Sequence, residues 1–295
     1  MKIIDCTTYY SEDLMLDVRF NILNEYVDKF IITESKYSHS GKKKSLNFDI
    51  NNFPKFKDKI HYMVIENEPD DIDENINNSS SIKRLNSLKR IEQSYNFMME
   101  AIKDVPDNDL ICLSDNDEIP NFESEFFKSC KNDILIFEQL FFYYKFNLFY
   151  DLIPWYGTKA CKKKKLLSMT WLRNLKNKKY PAWRLDTYFS KLKQTNLQIV
   201  KNGGWHFTNV KTAEDIFIKY SNFGHHDEFD NSGVTIKDIE NCIENRIVNY
   251  NHKADKSEKD KYNANYKLKI IDDKFLPDYL IINKEKYKDW FDNNK

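Results

Sequence analysis

Asp115 and Asp117, one residue apart and followed by Glu118, are the side chains whose types and spacing most directly suggest chemistry. They stand behind the apolar run Leu110-Ile111-Cys112-Leu113, which reads as a buried strand, and Pro120 closes the segment rigidly. Carboxylates at the carboxyl end of a buried strand lie where open α/β sheets bind their ligands. Two aspartates at this spacing can share a hard divalent cation, which in turn can hold a diphosphate. The expected site is therefore a metal–diphosphate site of the kind a nucleotide-sugar occupies. The bland alternative is that these carboxylates merely cap a helix after Pro120.

A second cluster uses the residues this chain spends most sparingly. Only six glycines occur in 295 residues, against a usual share of ~7%. Gly203, Gly204 and Gly224 fall in one window together with His206, His225 and His226. Glycine serves where the backbone needs positive φ or where a ligand approaches closely. Imidazoles and carboxylates beside it suit metal ligation or proton transfer. A tight turn with a core tryptophan and a hydrogen-bonded histidine is the competing account.

The elements that must position these groups alternate along the chain. Strands are expected at Ile3-Ile4, Phe30–Thr33, Ile60–Ile65, Leu110–Leu113 and Ile134–Phe137, the last running into Phe141-Phe142-Tyr143-Tyr144. Leu14, Val18 and Ile22 mark a first helix with Ser11 as its cap. Leu85, Leu88, Ile91, Tyr95, Met98 and Ile102 mark a second over residues 82–102. Between them, residues 66–81 are acidic and Asn/Ser-rich and read as a mobile loop. Strands alternating with helices predict an α/β fold with a mainly parallel sheet flanked by helices. The last forty residues, with one apolar island at Leu280-Ile281-Ile282, read as peripheral and partly flexible.

Bulk properties narrow the class. Lys+Arg and Asp+Glu are both 46, so no nucleic-acid footprint is expected. The lysine runs at 42–44 and 162–165 read as solvated faces or phosphate contacts. Five cysteines without C-x-x-C spacing argue against a zinc or redox motif and suggest buried thiols in a reducing compartment. The strand pattern begins at once, and no run of 18 apolar residues occurs. A soluble, cytoplasmic protein with no membrane span is the expectation.

The two clusters together resemble glycosyltransferase family 17, which contains the β-1,4-mannosyl-glycoprotein β-1,4-N-acetylglucosaminyltransferases. The resemblance runs through Asp17-Val18-Arg19-Phe20-Asn21, Asp28-Lys29-Phe30-Ile31-Ile32-Thr33-Glu34 and His39-Ser40-Gly41-Lys42. It continues through Ser114-Asp115-Asn116-Asp117-Glu118-Ile119-Pro120, Trp155-Tyr156-Gly157, Gly203-Gly204-Trp205-His206-Phe207, Lys219 and His225–Glu228. Where the family has an arginine in the helix before the acidic strand, this chain offers Tyr95, with Arg90 a turn and a half earlier.

That resemblance implies a GT-A-like nucleotide-binding fold and inverting transfer of a sugar, N-acetylglucosamine from UDP-N-acetylglucosamine, to a glycan or other hydroxyl acceptor. Residues 1–235 would form the catalytic domain, 1–150 holding the nucleotide-sugar and 151–235 the acceptor and metal site. Residues 236–295 would be a C-terminal extension. Asp117 is the expected direct ligand of Mn²⁺ or Mg²⁺, with Asp115 at the ribose or at a metal-bound water and Glu118 orienting one of them. His225, then His206, are candidates for a further ligand. Glu34, Ser40, Gly41, Lys42, Gly203, Gly204 and Trp205 are the expected donor contacts. Glu228, Asp227 and Glu138 are candidates for the base that inversion requires.

Two other classes fit parts of the pattern. A metal-dependent phosphatase or nucleotidyltransferase also uses paired aspartates after a strand, but Ile119-Pro120 replaces the expected threonine two residues on, and no Gly-rich phosphate loop follows the first strand. A non-catalytic carbohydrate-binding protein would use the same aromatics without turnover.

Overall fold

Four apolar runs form the parallel half of the central sheet: β1 (Ile3–Thr8), β2 (Lys29–Ser35), β3 (Ile60–Ile65) and β4 (Leu110–Ser114). Their order is β3-β2-β1-β4, with every neighbour parallel. The computed structural model describes residues 1–73, 75, 79–253 and 261–293. β1 and β4 are buried along nearly their whole length because helices cover both faces. Strand alternation divides their side chains between two cores. Ile3, Phe30, Ile32, Leu110 and Cys112 pack under α1 (Asp13–Leu23). Ile4, Cys6, Ile31, Ile111 and Leu113 meet Tyr95 of α2 (Ser80–Asn96) and the 3₁₀ turn that follows it.

Beyond β4 the sheet becomes mixed. The short β5 (Glu118–Pro120) and α3 (Glu125–Lys128) lead into β6 (Ile134–Tyr143) and β7 (Leu148–Phe149), and then β8 (Trp155–Lys162) inserts antiparallel between β4 and β6. After α4 (Met169–Asn174), β9 (Leu197–Val200) lies parallel to the first half of β6, and β10 (Gly204–Thr208) to the second. β5 pairs antiparallel with β10. Helices α5 (Ala213–Asn222) and α7 (Ile236–Glu244) build a third core over Phe141, Tyr143 and Tyr150, and α6 (His226–Ser232) packs on α5 through Phe229. β11 (Ile247–Val248) pairs with β12 (Tyr266–Lys267), β13 (Lys269–Ile270) joins β7, and α8 (Asp278–Ile282) follows. The result is a mixed α/β protein with a large, mostly parallel central sheet flanked by helices.

Several local expectations change. α1 begins at Asp13, and Glu12 rather than Ser11 occupies the cap, its carboxylate accepting the Tyr10 and Ser11 amides. In α2, Tyr95 is buried but Leu85 and Leu88 are 53% and 43% exposed, because that end of the helix borders an open cleft. The segment expected to be mobile, 66–81, lies outside the described residues at 74 and 76–78, and α2 starts at its end. The C-terminal segment is not peripheral: Leu276, Leu280, Tyr287 and Phe291 enter the main core beside α1. Cys6, Cys112, Cys161 and Cys242 are buried free thiols. Among the described residues, no helix is long and apolar enough to cross a membrane.

Candidate functional site

The acidic turn leaves β4 between strands that diverge. β1 has β2 on one side and β4 on the other, so the carboxyl ends open into a crevice at that switch of strand order. Asp115-Asn116-Asp117 occupies it. The helix after Pro120, α3, is capped by Ser124 and not by the acidic turn, so the capping alternative fails.

The turn is held from all sides. Glu118 N donates to the Asp115 carbonyl at 3.0 Å, and Phe207 N of β10 donates to the Asp117 carbonyl at 2.8 Å. The Glu118 carboxylate accepts the Asp115 amide at 2.9 Å and the Trp155 indole N–H at 2.8 Å. From beneath, the fully buried Arg19 of α1 donates to the Glu118 carbonyl at 2.6 Å and grips Asp5 of β1 through both oxygens at 2.7 and 2.6 Å. A planar guanidinium can satisfy a carboxylate and a carbonyl at once, so α1, β1 and the turn are locked as one unit.

Lys219 and Arg173 bring positive charge to the two aspartates. Asp117 Oδ2 lies 3.4 Å from Lys219 Nζ of α5, and Asp117 Oδ1 lies 3.5 Å from His206 Nε2 of β10. Burial alone would raise the Asp117 pKa, but Lys219 and His206 outweigh it and hold the carboxyl well below its usual range. Asp115 accepts the Tyr95 hydroxyl and lies 3.5 Å from Arg173 of α4, whose guanidinium stacks over the Tyr95 ring at 4.9 Å. Burial, then the Asp115 charge, push the Glu118 carboxyl up to about 7. Thus neighbouring carboxylates are driven apart in acidity by their surroundings.

The cleft they border measures about 470 Å³. One wall is aromatic: Tyr143, Trp155, Tyr250 and His252 line it, and the His206 ring lies sandwiched between Trp155 and Phe141 at centroid distances of 4.2 and 4.6 Å. Burial lowers the His39 and His252 pKa values to about 4 and about 3, so both imidazoles are neutral at pH 7. Three buried polar groups at the cleft have no protein partner: both amide atoms of Asn116, Nδ1 of His206 and Oδ1 of Asn209. Buried groups of this kind are ordinarily satisfied, so a bound ligand or water is their natural partner.

The residues singled out in the sequence are distributed unevenly. Asp115, Asp117, His206 and His225 line the cleft. His206 rather than His225 faces Asp117, and His225 Nδ1 instead meets Glu228 at 3.1 Å. Glu228 also pairs with Lys261 at 2.9 Å, and Asp227 pairs with Lys83 at 2.9 Å. Glu138 does not close a strand. β6 continues through a bulge to Tyr143, and Glu138 is bound by Tyr156 and Lys201. Glu34 is saturated by Lys44, Tyr62 and the Asn47 and Phe48 amides, and so anchors a loop.

Ser38 and His39 of that loop reach the cleft, whereas Ser40 contacts Asn222, Gly41 packs against Arg90 and Lys42 is exposed. Gly204 has φ +126°, and a Cβ there would meet the Ile119 carbonyl at 2.0 Å; Gly203 is similarly enclosed by β6 and the Val200 carbonyl. These glycines admit neighbouring backbone, not ligand. Trp205, next to His206 on a strand, points to the opposite face and donates to the Phe275 carbonyl at 2.7 Å.

Arg19, Arg173, Asn116 and the Tyr143–Tyr250–His252 wall were not singled out for a role. For Arg19 a signal existed, since an arginine on the apolar face of a helix needs a buried partner. For Arg173 and the wall the sequence carries none.

The model of glycosyltransferase family 17 matches residues 1–291, nearly the whole length. The chain belongs to glycosyltransferase family 17, and it is a glycosyltransferase with a sugar donor and an acceptor as its substrates. No curated protein matches it. The crystal structure of HddC from Yersinia pseudotuberculosis is similar over 68% of this chain and 90% of that one, at 11% identity and a TM-score of 0.33, too distant to carry any argument.

Proposed function

We propose that the cleft binds a UDP-sugar, UDP-N-acetylglucosamine first among candidates, and transfers the sugar with inversion to a glycan or other hydroxyl acceptor in a divalent-cation-dependent, GT-A-like manner. The observation that carries this reading is the half-buried, ionised Asp117 paired with His206 at the carboxyl edge of the parallel strands. Asp117 Oδ1 and His206 Nε2 are 3.5 Å apart, close to the ~3 Å between adjacent ligands on an ion bound at ~2.1 Å. Among the described residues no three His, Cys, Asp or Glu side chains converge, so phosphate oxygens and water would complete the shell. The donor set, one carboxylate and one imidazole beside phosphate oxygens and water, fits Mn²⁺ better than Mg²⁺, which takes oxygen ligands.

When bound, the cation supplies Lewis-acid stabilisation of the leaving diphosphate. The protein's own groups do the rest. Lys219 and Arg173 add positive charge beside the same position. Asn116 offers an unpartnered amide to the donor. The aromatic wall provides faces on which a sugar ring can stack.

The base is best assigned to the His225–Glu228 pair rather than to either carboxylate alone. With Nδ1–H directed to Glu228, the Nε2 lone pair of a neutral imidazole is free to accept the acceptor hydroxyl's proton. Burial and Arg84 lower the His225 pKa, which keeps the ring in that neutral form.

The test is transfer and UDP release measured with purified wild type and Asp117→Ala over a metal-buffered series, alongside donor-induced thermal stabilisation. The expected result is Mn²⁺-dependent release from a UDP-sugar, abolished in the variant with its fold intact. Wild-type turnover by Asp117→Ala would remove the cation from the reading. Phosphomonoester hydrolysis, or glycan binding without turnover, would replace it.

A further inference from the structure

Between α4 and β9 the chain leaves the body in a closed loop. Its neck is fastened where Lys176 N donates to the Leu192 carbonyl at 3.1 Å and where the buried Trp171 donates its indole N–H to the Lys191 carbonyl at 2.7 Å. Within seven consecutive residues at its tip, Trp183, Leu185, Tyr188 and Phe189 are 79%, 74%, 70% and 91% exposed. Side chains of this size left in water mark a surface that normally meets something else.

The charges around this tip are of one sign. Lys176, Lys178, Lys179 and Lys191 are exposed. The loop's single acidic residue, Asp186, is held between Arg184 at 2.8 Å and Lys193 at 2.5 Å, so it does not neutralise those lysines. The whole chain has a formal net charge of zero, which makes six basic residues against one acidic residue over 176–193 a local feature rather than a compositional one.

We propose that the 176–193 loop docks on an anionic lipid surface, its aromatic tip entering the headgroup region while the lysines meet lipid phosphates. Trp and Tyr suit that boundary because one end of each ring is apolar and the other polar. Polybasic flanks supply the second signal that stable peripheral binding requires. A second copy of the chain suits the patch poorly, since a two-fold contact would set the same lysines against each other. The loop's neck begins three residues after Arg173, itself 3.5 Å from Asp115, so docking holds the cleft near the membrane surface. This inference is independent of donor and metal.

The experiment is co-sedimentation of the full chain with vesicles of phosphatidylglycerol and phosphatidylcholine, against vesicles of phosphatidylcholine alone, over a salt series. Wild type is expected to bind the anionic vesicles, to be released by salt and to ignore the neutral ones. Lys178→Gln/Lys179→Gln should bind roughly thirty-fold more weakly, and Trp183→Ser/Phe189→Ser should lose binding, both with unchanged melting temperature. Absence of binding at low salt, equal binding to both vesicle types, or wild-type binding by both variants overturns the proposal. So does a concentration-dependent dimer in sedimentation velocity that the aromatic variant alone abolishes.

Discussion

Arg19 offers the sharpest test of how the fold positions the acidic turn. Its guanidinium is fully buried, and its partner Asp5 is 1% exposed. Arg19→Met therefore leaves a carboxylate uncompensated in the core, a change that costs about 3–5 kcal/mol. For a chain of this length that corresponds to a fall in melting temperature on the order of 10 °C. The double variant Asp5→Asn/Arg19→Met removes both charges and should recover a large part of that loss, since replacing a whole buried pair is often near neutral. It does not restore the donor to the Glu118 carbonyl, which Arg19 holds at 2.6 Å. The turn then loosens, and a misplacement of about 1 Å at a reacting centre can lower turnover roughly 100-fold. Melting curves and steady-state sugar transfer on the four proteins of this cycle separate the two roles. A double variant with wild-type kcat would show that Arg19 serves stability alone. Arg19→Met melting within ~2 °C of wild type would refute the burial argument itself.

Three further outcomes are expected. Lys219→Met removes the largest influence lowering the Asp117 pKa, and donor affinity measured by titration should fall roughly ten-fold while the Mn²⁺ response persists; loss of the metal response instead would make Lys219 part of the metal site. For the His225–Glu228 pair, kcat/KM should rise with pH through the His225 pKa, which lies below 6.5, because only the neutral ring accepts a proton. Glu228→Gln removes an influence that raises that pKa, so the acid limb should move to lower pH with a reduced plateau; an unmoved limb rejects the pair as the base. Gly204→Ala should destabilise the chain by about 2–3 kcal/mol, visible as a lower denaturant midpoint, because its φ is +126° and the Ile119 carbonyl occupies the Cβ position; a wild-type midpoint would show that β5 and β10 can part without cost.

What the sequence by itself determined is the local part: the strands, the acidic turn at the end of one of them, and the glycine–histidine window. Apolar runs bounded by polar turns and a helical repeat at Tyr95, Met98 and Ile102 are readable because burial and backbone geometry act over a few neighbouring residues. Strand alternation is equally readable and by itself separates His206 from Trp205, since adjacent residues on β10 face opposite sides.

Tertiary structure alone decided the assembly of the cleft. Arg173, Lys219, Tyr143 and His252 reach the cleft from α4, α5, β6 and the segment after β11, and nothing in their local sequence specifies that meeting. Glu34 and Glu138 also had carboxylates that looked available, but Glu34 is engaged by Lys44 of the loop that follows its strand and Glu138 by Lys201 from the turn after β9. Ion pairing and ring stacking depend on distances of a few ångströms, whereas the sequence encodes order along the chain. Only the packing of helices onto the sheet converts one into the other.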